Sequence, residues 1–258
     1  MKKQKETFAS LMQSFTYRYD LRPVFDDFLT MLLCAFSQNP ATGKSFDEDL
    51  YTATIERYAK DEVRHFFPKM LACLTLEMEE RMGSSSGNDV LGEFYELNFC
   101  RKNSGQFFTP AHVCDLMARC LCSTDTEREE PLRVLDPSCG SGRTLFASAK
   151  VLGWRHSYYG IDIDHTCVKM TAINLFLNGI FHGEVMCADA LSPDDFRMSY
   201  VLSFLPFGIF RVQDKERSWL WQMQRATFYK KEVQPIPDII LPSEENASTG
   251  TGNQLQLF

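Results

Sequence analysis

The sequence predicts an α/β protein: a parallel sheet that ends after its fourth strand, preceded by an all-α N-terminal domain. Two observations carry this prediction. Residues 1 to about 104 repeat apolar positions at helical spacing, whereas beyond Pro131 short apolar runs alternate with helical segments. A third sets the limit of the sheet. Only about fifty residues follow Gly208, and none of them reads as a strand. The expected divisions are a helical domain over 1–104, a second domain over 105–232, and an extended or disordered tail over 233–258.

In the first part, "FDDFLTMLLCAF", "LYTATIERYAKDEV" and "FPKMLACLTLEMEERM" carry apolar residues three and four apart, the spacing of one helix face. "GSSSGND" reads as a linker and "VLGEFYELNF" as one further helix. In the second part, "LRVLD" is a short apolar run closed by a Gly-Ser turn and the helical "RTLFASAKVLG". "SYYGIDI" is a second run, followed by the helix "HTCVKMTAINLFLNGI". "GEVMCAD" is a third and "YVLSFLPFGIF" a fourth. Strand, turn, helix, strand is the pattern of parallel pairing through crossover helices. Ligands of such sheets gather at the carboxyl ends of the strands. "DPSCGSG", "DID", "ADA" and "FLPFG" are therefore expected along one rim. "DKERSWLWQMQRATFYKK" reads as an amphipathic helix, and either this segment from Asp214 to Tyr229 or a second subunit can cover the exposed edge of the fourth strand. "VQPIPDIILP" is extended by its prolines, and "SEENASTGTGN" has a disordered composition.

Bulk composition narrows the function classes. The 258 residues are 44% hydrophobic and 13% aromatic, ample for a packed core. A net charge of -7 argues against holding nucleic acid by bulk charge alone, and leaves room for a local basic face. The nine cysteines are odd in number, scattered and without a CxxC pair, so reduced core thiols are expected rather than disulfides or a metal site. "FLTMLLCAF" is too short to span a bilayer, and no apolar stretch follows "MKKQKETFAS" at the start. The expectation is a soluble cytoplasmic protein.

Chemistry concentrates on the expected rim. In "DPSCGSG" (Asp136 to Gly142), Gly140 and Gly142 carry no Cβ, so backbone can approach a ligand at a helix N-terminus. The segment is not a P-loop, because the Lys-Ser/Thr ending is missing. It is not a good dinucleotide fingerprint either, because position 145 is Leu. Asp162 follows the second run, where a carboxylate can accept from both hydroxyls of a ribose. Asp189 follows the third, where one can accept from an exocyclic amine. An acid after each of three successive strands suits a nucleoside with a cationic or amino-bearing tail. Any one of these acids, taken alone, also suits a helix cap.

With these motifs in hand, the chain resembles the S-adenosylmethionine-dependent DNA adenine N6 methyltransferases, especially the modification (M) subunits of type I restriction systems. The resemblance covers roughly residues 20 to 210. "GQFFTP" (Gly105 to Pro110, with Phe107, Phe108, Thr109 and Pro110) resembles the segment that folds over the methionine end of the cofactor. "DPSCGSG", with Asp136, Ser138, Gly140 and Gly142, resembles the first cofactor motif. "GIDID" matches the ribose motif at Asp162, with Ile163 beside the adenine ring. "ADA" matches the segment whose acid, here Asp189 followed by Ala190, binds the cofactor adenine's amine. "DVLGEFYE" ahead of "GQFFTP" is similar to the same subgroup. The resemblance implies a Rossmann-like methyltransferase sheet, an S-adenosylmethionine cofactor, DNA as a partner, and a specificity or methyltransferase partner subunit.

It also implies Asn/Asp-Pro-Pro-Tyr/Phe at the end of the fourth strand, where the polar side chain and a backbone carbonyl accept from the target adenine's amine and the aromatic stacks on the flipped base. In register this chain has Phe204, Leu205, Pro206 and Phe207. The stacking aromatic Phe207 and the carbonyl of Leu205 survive, and the side-chain acceptor does not. A slipped register would offer Ser203 instead. Losing one placed acceptor costs on the order of 10² to 10³ in rate. Catalysis is thus expected to be weak or lost. The alternative is a non-catalytic cofactor-binding module acting through DNA, the sliding clamp or a partner methyltransferase. Methylation of a small molecule or protein is a third reading, which "GQFFTP" disfavours.

Two C-terminal features add partners. Residues 211–232 hold six Lys/Arg against three acids, with Trp219, Trp221, Phe228 and Tyr229 interleaved. A DNA-contacting face and an aromatic helix packed on the sheet both fit, the second better. Gln254, Leu255, Leu257 and Phe258 in the terminal "QLQLF" resemble the short peptide by which bacterial DNA-processing proteins dock on the replicative sliding clamp, an extended segment offering apolar anchors.

Overall fold

The computed structural model describes residues 6–82, 88–100, 106–122 and 130–229. Helices α1 (Phe8–Ser14), α2 (Leu21–Ala35), α3 (Glu48–Ile55), α4 (Phe67–Glu80), α5 (Val90–Phe99) and α6 (Ala111–Leu121) precede the sheet. The helical reading of the N-terminal part thus agrees with the structure, with one isolated bridge between Gln38 and Ser45. The GSSSGND linker falls mostly on residues outside the described ones.

Five strands follow: β1 (Arg133–Asp136), β2 (Ser157–Asp162), β3 (Gly183–Cys187), β4 (Met198–Ser203) and β5 (Gly208–Val212), in spatial order β1-β2-β3-β4-β5. Helices α7 (Arg143–Leu152) and α8 (His165–Leu177) are the crossovers that let β1, β2 and β3 run parallel. The α/β class, the helical part ahead of it and the three strand–helix repeats match the sequence expectation.

Two details correct it. The sheet does not end at the fourth strand, because Gly208–Val212 pairs as a fifth, and the sheet is mixed. β4 is antiparallel to β3, with Gly183 opposite Leu202 and Cys187 opposite Met198, and β5 is antiparallel to β4. The cause is chain length. Residues 188–197 join β3 to β4 without a helix, and a parallel return takes a dozen or more residues, usually helical. The remedy for an open fourth-strand edge is therefore a hairpin partner rather than the 214–229 helix.

Helix α8 is the centre of the molecule. Every residue from Cys167 to Phe176 is buried, as expected of a helix with protein on all sides. It lies between the sheet and the N-terminal helices, and Lys169 Nζ reaches Asp26 Oδ2 and Thr30 Oγ1 on α2, both at 2.9 Å. One hydrophobic core runs from Phe8, Phe25 and Phe28 through Leu145 and Ile173 to Val185 and Tyr200.

The opposite sheet face is covered by α9 (Trp219–Tyr229). Leu220 and Trp221 are buried against Ile161, Met186 and Ala188, and the Trp219 ring lies 4.5 Å from that of Tyr159. The aromatics of this segment pack on the sheet, as the better-fitting of the two readings held. Buried Glu184 anchors the helix start. It accepts from Ser199 and Ser218 hydroxyls and from the Leu220 N–H at 2.9 Å. Burial raises its carboxyl above the usual Glu value, against the pull of those bonds.

All nine cysteines are free and five are buried. No helix among the described residues is long and apolar enough to cross a membrane.

Candidate functional site

The turn after β1 is built to present backbone. Gly140 and Gly142 both adopt positive φ (56° and 89°), where an L side chain is strained. A Cβ on Gly140 would also come within 3.2 Å of the Phe108 ring, and one on Gly142 within 3.2 Å of Thr171. Asp136 closes the turn from below, accepting from the Ser138 N–H at 2.9 Å and from the Thr144 hydroxyl. The buried Cys139 N–H reaches over to the Ile161 carbonyl at 2.9 Å, and Gly160 is required there, since a Cβ would meet Cys139 Sγ at 2.9 Å. Burial pushes the Cys139 thiol well above its usual value, so it serves as an uncharged wall.

Asp162 joins this turn to the next. Its Oδ2 accepts from the Gly140 N–H at 2.8 Å and its Oδ1 from the Asp164 N–H at 2.9 Å. Burial raises its carboxyl above the ordinary Asp value, an effect the two N–H bonds oppose. A carboxylate has about four lone-pair positions, so one remains free on each oxygen. Two neighbouring hydroxyls can be held there without breaking the turn.

The far side of the glycine turn is held by a residue that the sequence reading did not single out. Asp89, at the N-cap of α5, accepts from the Gly92 N–H (2.8 Å), the Ser141 hydroxyl, Arg143 Nε (2.6 Å) and Asn174 Nδ2 (2.7 Å). Arg143 continues to Glu96 at 3.1 Å and to the Thr109 carbonyl at 3.3 Å. Burial opposes the Arg143 charge, and the carboxylates of Asp89 and Glu96 outweigh it, so its pKa is raised. Asn174 also reaches the Ser141 carbonyl at 2.9 Å, and Thr171 the Gly140 carbonyl at 2.8 Å. The Gly140 and Ser141 carbonyls are thereby held by α8 side chains, while the Ser138, Cys139, Gly140 and Gly142 N–H groups are bonded within the turn and its neighbours, so the turn's shape is fixed. The available signal was an Asp directly before the helical "VLGEFYELNF", a cap position.

The 106–110 segment closes the cleft. Phe108 stacks on Tyr95 (5.7 Å between rings, 14° between planes) and lies under the Arg143 guanidinium at 5.5 Å. Tyr95 donates to Asp164 at 3.0 Å, and Gln106 reaches Asp164 at 3.3 Å. Phe107 is left 77% exposed, so its ring is available to a ligand. Gly105 lies outside the described residues.

Together these elements line a cleft of about 830 Å³, within the range of small-molecule sites. Of the residues expected to hold a cofactor, Phe107, Phe108, Thr109, Asp136, Ser138, Gly140, Asp162 and Ile163 line it. Pro110, Gly142, Asp189 and Ala190 do not. Asp189 is on the same rim, at the end of β3, but its carboxylate takes the Leu191 N–H at 2.9 Å and its carbonyl faces Gln224. Arg143, Asp164 and the α6 residues Met117 and Leu121 also line the cleft and were not foreseen.

The 204–207 segment is elsewhere, which corrects the expectation of a single shared rim. Leu202 pairs with Gly183, the first residue of β3, so the β4–β5 turn lies beyond the amino end of that strand. Four residue steps from Gly183 to Cys187 put roughly 13 Å of strand between the two rims. Phe207 packs its ring on Phe176 and Phe181 at 4.9 and 5.1 Å, and Phe204 on Phe181 at 5.9 Å. Ser203, the alternative acceptor, is buried. Gln254, Leu255, Leu257 and Phe258 lie outside the described residues.

The chain is similar to several known proteins. A family model described as N-6 DNA Methylase matches residues 86–234. The chain is 27% identical over 195 residues to the type I restriction enzyme MpnII methylase subunit of Mycoplasma pneumoniae, covering 70% of this chain and 35% of that protein. It is 31% identical over 106 residues to the HindI methylase subunit of Haemophilus influenzae, covering 36% of this chain and 22% of that protein. The crystal structure of a type I restriction-modification methyltransferase subunit from Streptococcus thermophilus is 17% identical, with a TM-score of 0.37, over 72% of this chain and 57% of that one. The chain thus spans about a third or less of the length of these two curated relatives.

The network predicts a specific weakness. Asp89→Ala leaves Arg143, the Ser141 hydroxyl and Asn174 without their common acceptor, and removing one partner of a buried ion pair costs about 3–5 kcal/mol. The expected outcome is an unfolding free energy lower by that amount, from denaturant unfolding followed by circular dichroism, with Asp89→Asn milder.

Proposed function

The chain belongs to the N-6 DNA methylase family, and from that premise we propose that it is an S-adenosylmethionine-binding module associated with DNA that does not methylate adenine through its own 204–207 segment. In this reading it works as a partner of an active methyltransferase or specificity subunit. The relatives' names, methylase subunits of type I restriction enzymes, support that class of partner.

The observation that carries the cofactor half is the pairing of Gly140 with Asp162. One carboxylate both fixes the glycine turn and keeps a free lone pair on each oxygen, which fits the two hydroxyls of a ribose. The residues present suit the rest of such a ligand. Exposed Ile163 and Phe107 offer apolar walls to a purine and a thioether chain. Asp136, Asp162 and Asp164 surround the cleft with acceptors that favour a cation. S-adenosylmethionine, when bound, supplies a sulfonium methyl group as electrophile. Arg143, held by Asp89 and Glu96, keeps Thr109 and Phe108 against the cleft.

Two independent features support loss of transfer. Phe204 supplies no acceptor for an adenine amine, and the hairpin that carries it lies at the rim opposite the cleft. Alignment of a nitrogen lone pair on a methyl group needs reacting atoms about 3–3.5 Å apart, and the antiparallel course of β4 supports the reading that the hairpin does not supply that approach.

Titration calorimetry with S-adenosylmethionine and with its demethylated product should give heat for the wild type. Asp162→Asn should weaken binding by roughly 10- to 100-fold, the value of a hydrogen bond to a charged group; absence of heat with both ligands overturns the reading. In a labelled-methyl transfer assay on mixed duplex DNA, Phe204→Asn should remain as inactive as the wild type. Activity gained by that substitution would show that the hairpin reaches the cofactor.

A further inference from the structure

The cofactor-side rim does not end at Asp189. β4 starts there and β5 finishes there, since Cys187 is opposite Met198 and Ser199 is opposite Val212. This brings Arg197, Arg211 and Gln213 beside His165, the first residue of α8, around an open pocket of about 570 Å³. Among the described residues its charged lining is two arginines, and no carboxylate lines it. In a protein of net charge -7, such a pocket beside an acid-lined cleft marks a change of ligand chemistry along one rim.

The arginines are held in place but not used up. Arg197 Nη1 donates to the Ile163 carbonyl at 2.8 Å, and its Nη2 is 3.4 Å from Asp195. Arg211 Nη1 is 3.6 Å from Asp47. With its oxygen turned to the guanidinium, the Gln213 amide accepts from Arg211 at 2.8 and 3.1 Å. Both ion pairs are longer than the roughly 2.7–2.9 Å of a strong charge-assisted bond. Each guanidinium has five N–H donors in a planar fork suited to phosphate oxygens. Burial and nearby Lys169 hold His165 below its usual pKa, so it adds a polar wall against Met198 rather than a third charge.

We propose that Arg197 and Arg211 form a phosphate-binding site, and that its ligand is a backbone phosphodiester of nucleic acid lying across the rim beside the cofactor cleft. Both forks line the same pocket, and one phosphate is assigned to it. The choice of nucleic acid over a small phosphate compound rests on the family reading above; the pocket itself does not. The contact fixes register on the strand and carries no base specificity.

The test is the salt dependence of binding to a fluorescent duplex oligonucleotide, without cofactor, so that failure of cofactor binding leaves it interpretable. Replacing both arginines by glutamine should reduce the slope of log K against log salt by about 0.9, the value of one phosphate contact, and weaken binding roughly eightfold at 0.1 M salt. Because Arg197 also holds the Ile163 carbonyl, Arg211→Gln alone is the second arm; it leaves that bond in place and should lower the slope in the same direction. Lysine at both positions should restore most of the slope. An unchanged slope in both glutamine variants overturns the proposal. An unchanged slope combined with arginine-dependent thermal stabilisation by inorganic phosphate assigns the pocket to a small phosphate ligand and overturns the nucleic-acid assignment.

Discussion

The ten residues from Ala188 to Arg197 decide which groups share a rim. They are too few, and lack the helix, for a parallel return, so β4 folds back along β3. Everything that follows is set by that reversal. The apolar turn after β4 goes to the amino rim and packs on Phe176 and Phe181. The start of β4 and the end of β5 come to the carboxyl rim instead, carrying Arg197, Arg211 and Gln213. Where a base-binding loop is expected from the motif order, the rim carries cationic forks.

The same rim depends on helices well outside the sheet. Asp89 on α5 holds Ser141, Arg143 and Asn174, and Tyr95 on the same helix holds Asp164 and supports Phe108. The glycine turn is therefore shaped from both sides: Asp162 from the sheet and Asp89 from the helical layer. Such a turn is preorganised, because the bonds that fix it exist without ligand. Buried α8 carries the load between the two layers through Thr171, Asn174 and Lys169.

Much of this was legible in the sequence. Helical spacing located the N-terminal helices, and the strand–helix alternation located β1 to β3 with their acids. "DPSCGSG" and Asp162 were found because glycine and carboxylate chemistry at strand ends is local. Other features were not local. Asp89 looks like an ordinary helix cap until its partners, 52 to 85 residues away in sequence, come to it. β5 escaped notice because "GIFRV" is short and continues an apolar run, which periodicity does not divide. The rim placement of "FLPFG" failed for a different reason. Four apolar runs were read as four parallel strands, although the last connection was already visibly short.

The separation of the 204–207 turn from the cofactor rim is tested most directly by cross-strand nuclear Overhauser contacts in isotope-labelled protein. Antiparallel β4 predicts backbone contacts linking Tyr200 with Val185 and Met198 with Cys187. Contacts from Tyr200 or Leu202 to Val134 or Leu135 on the edge strand β1, in place of those, would contradict it.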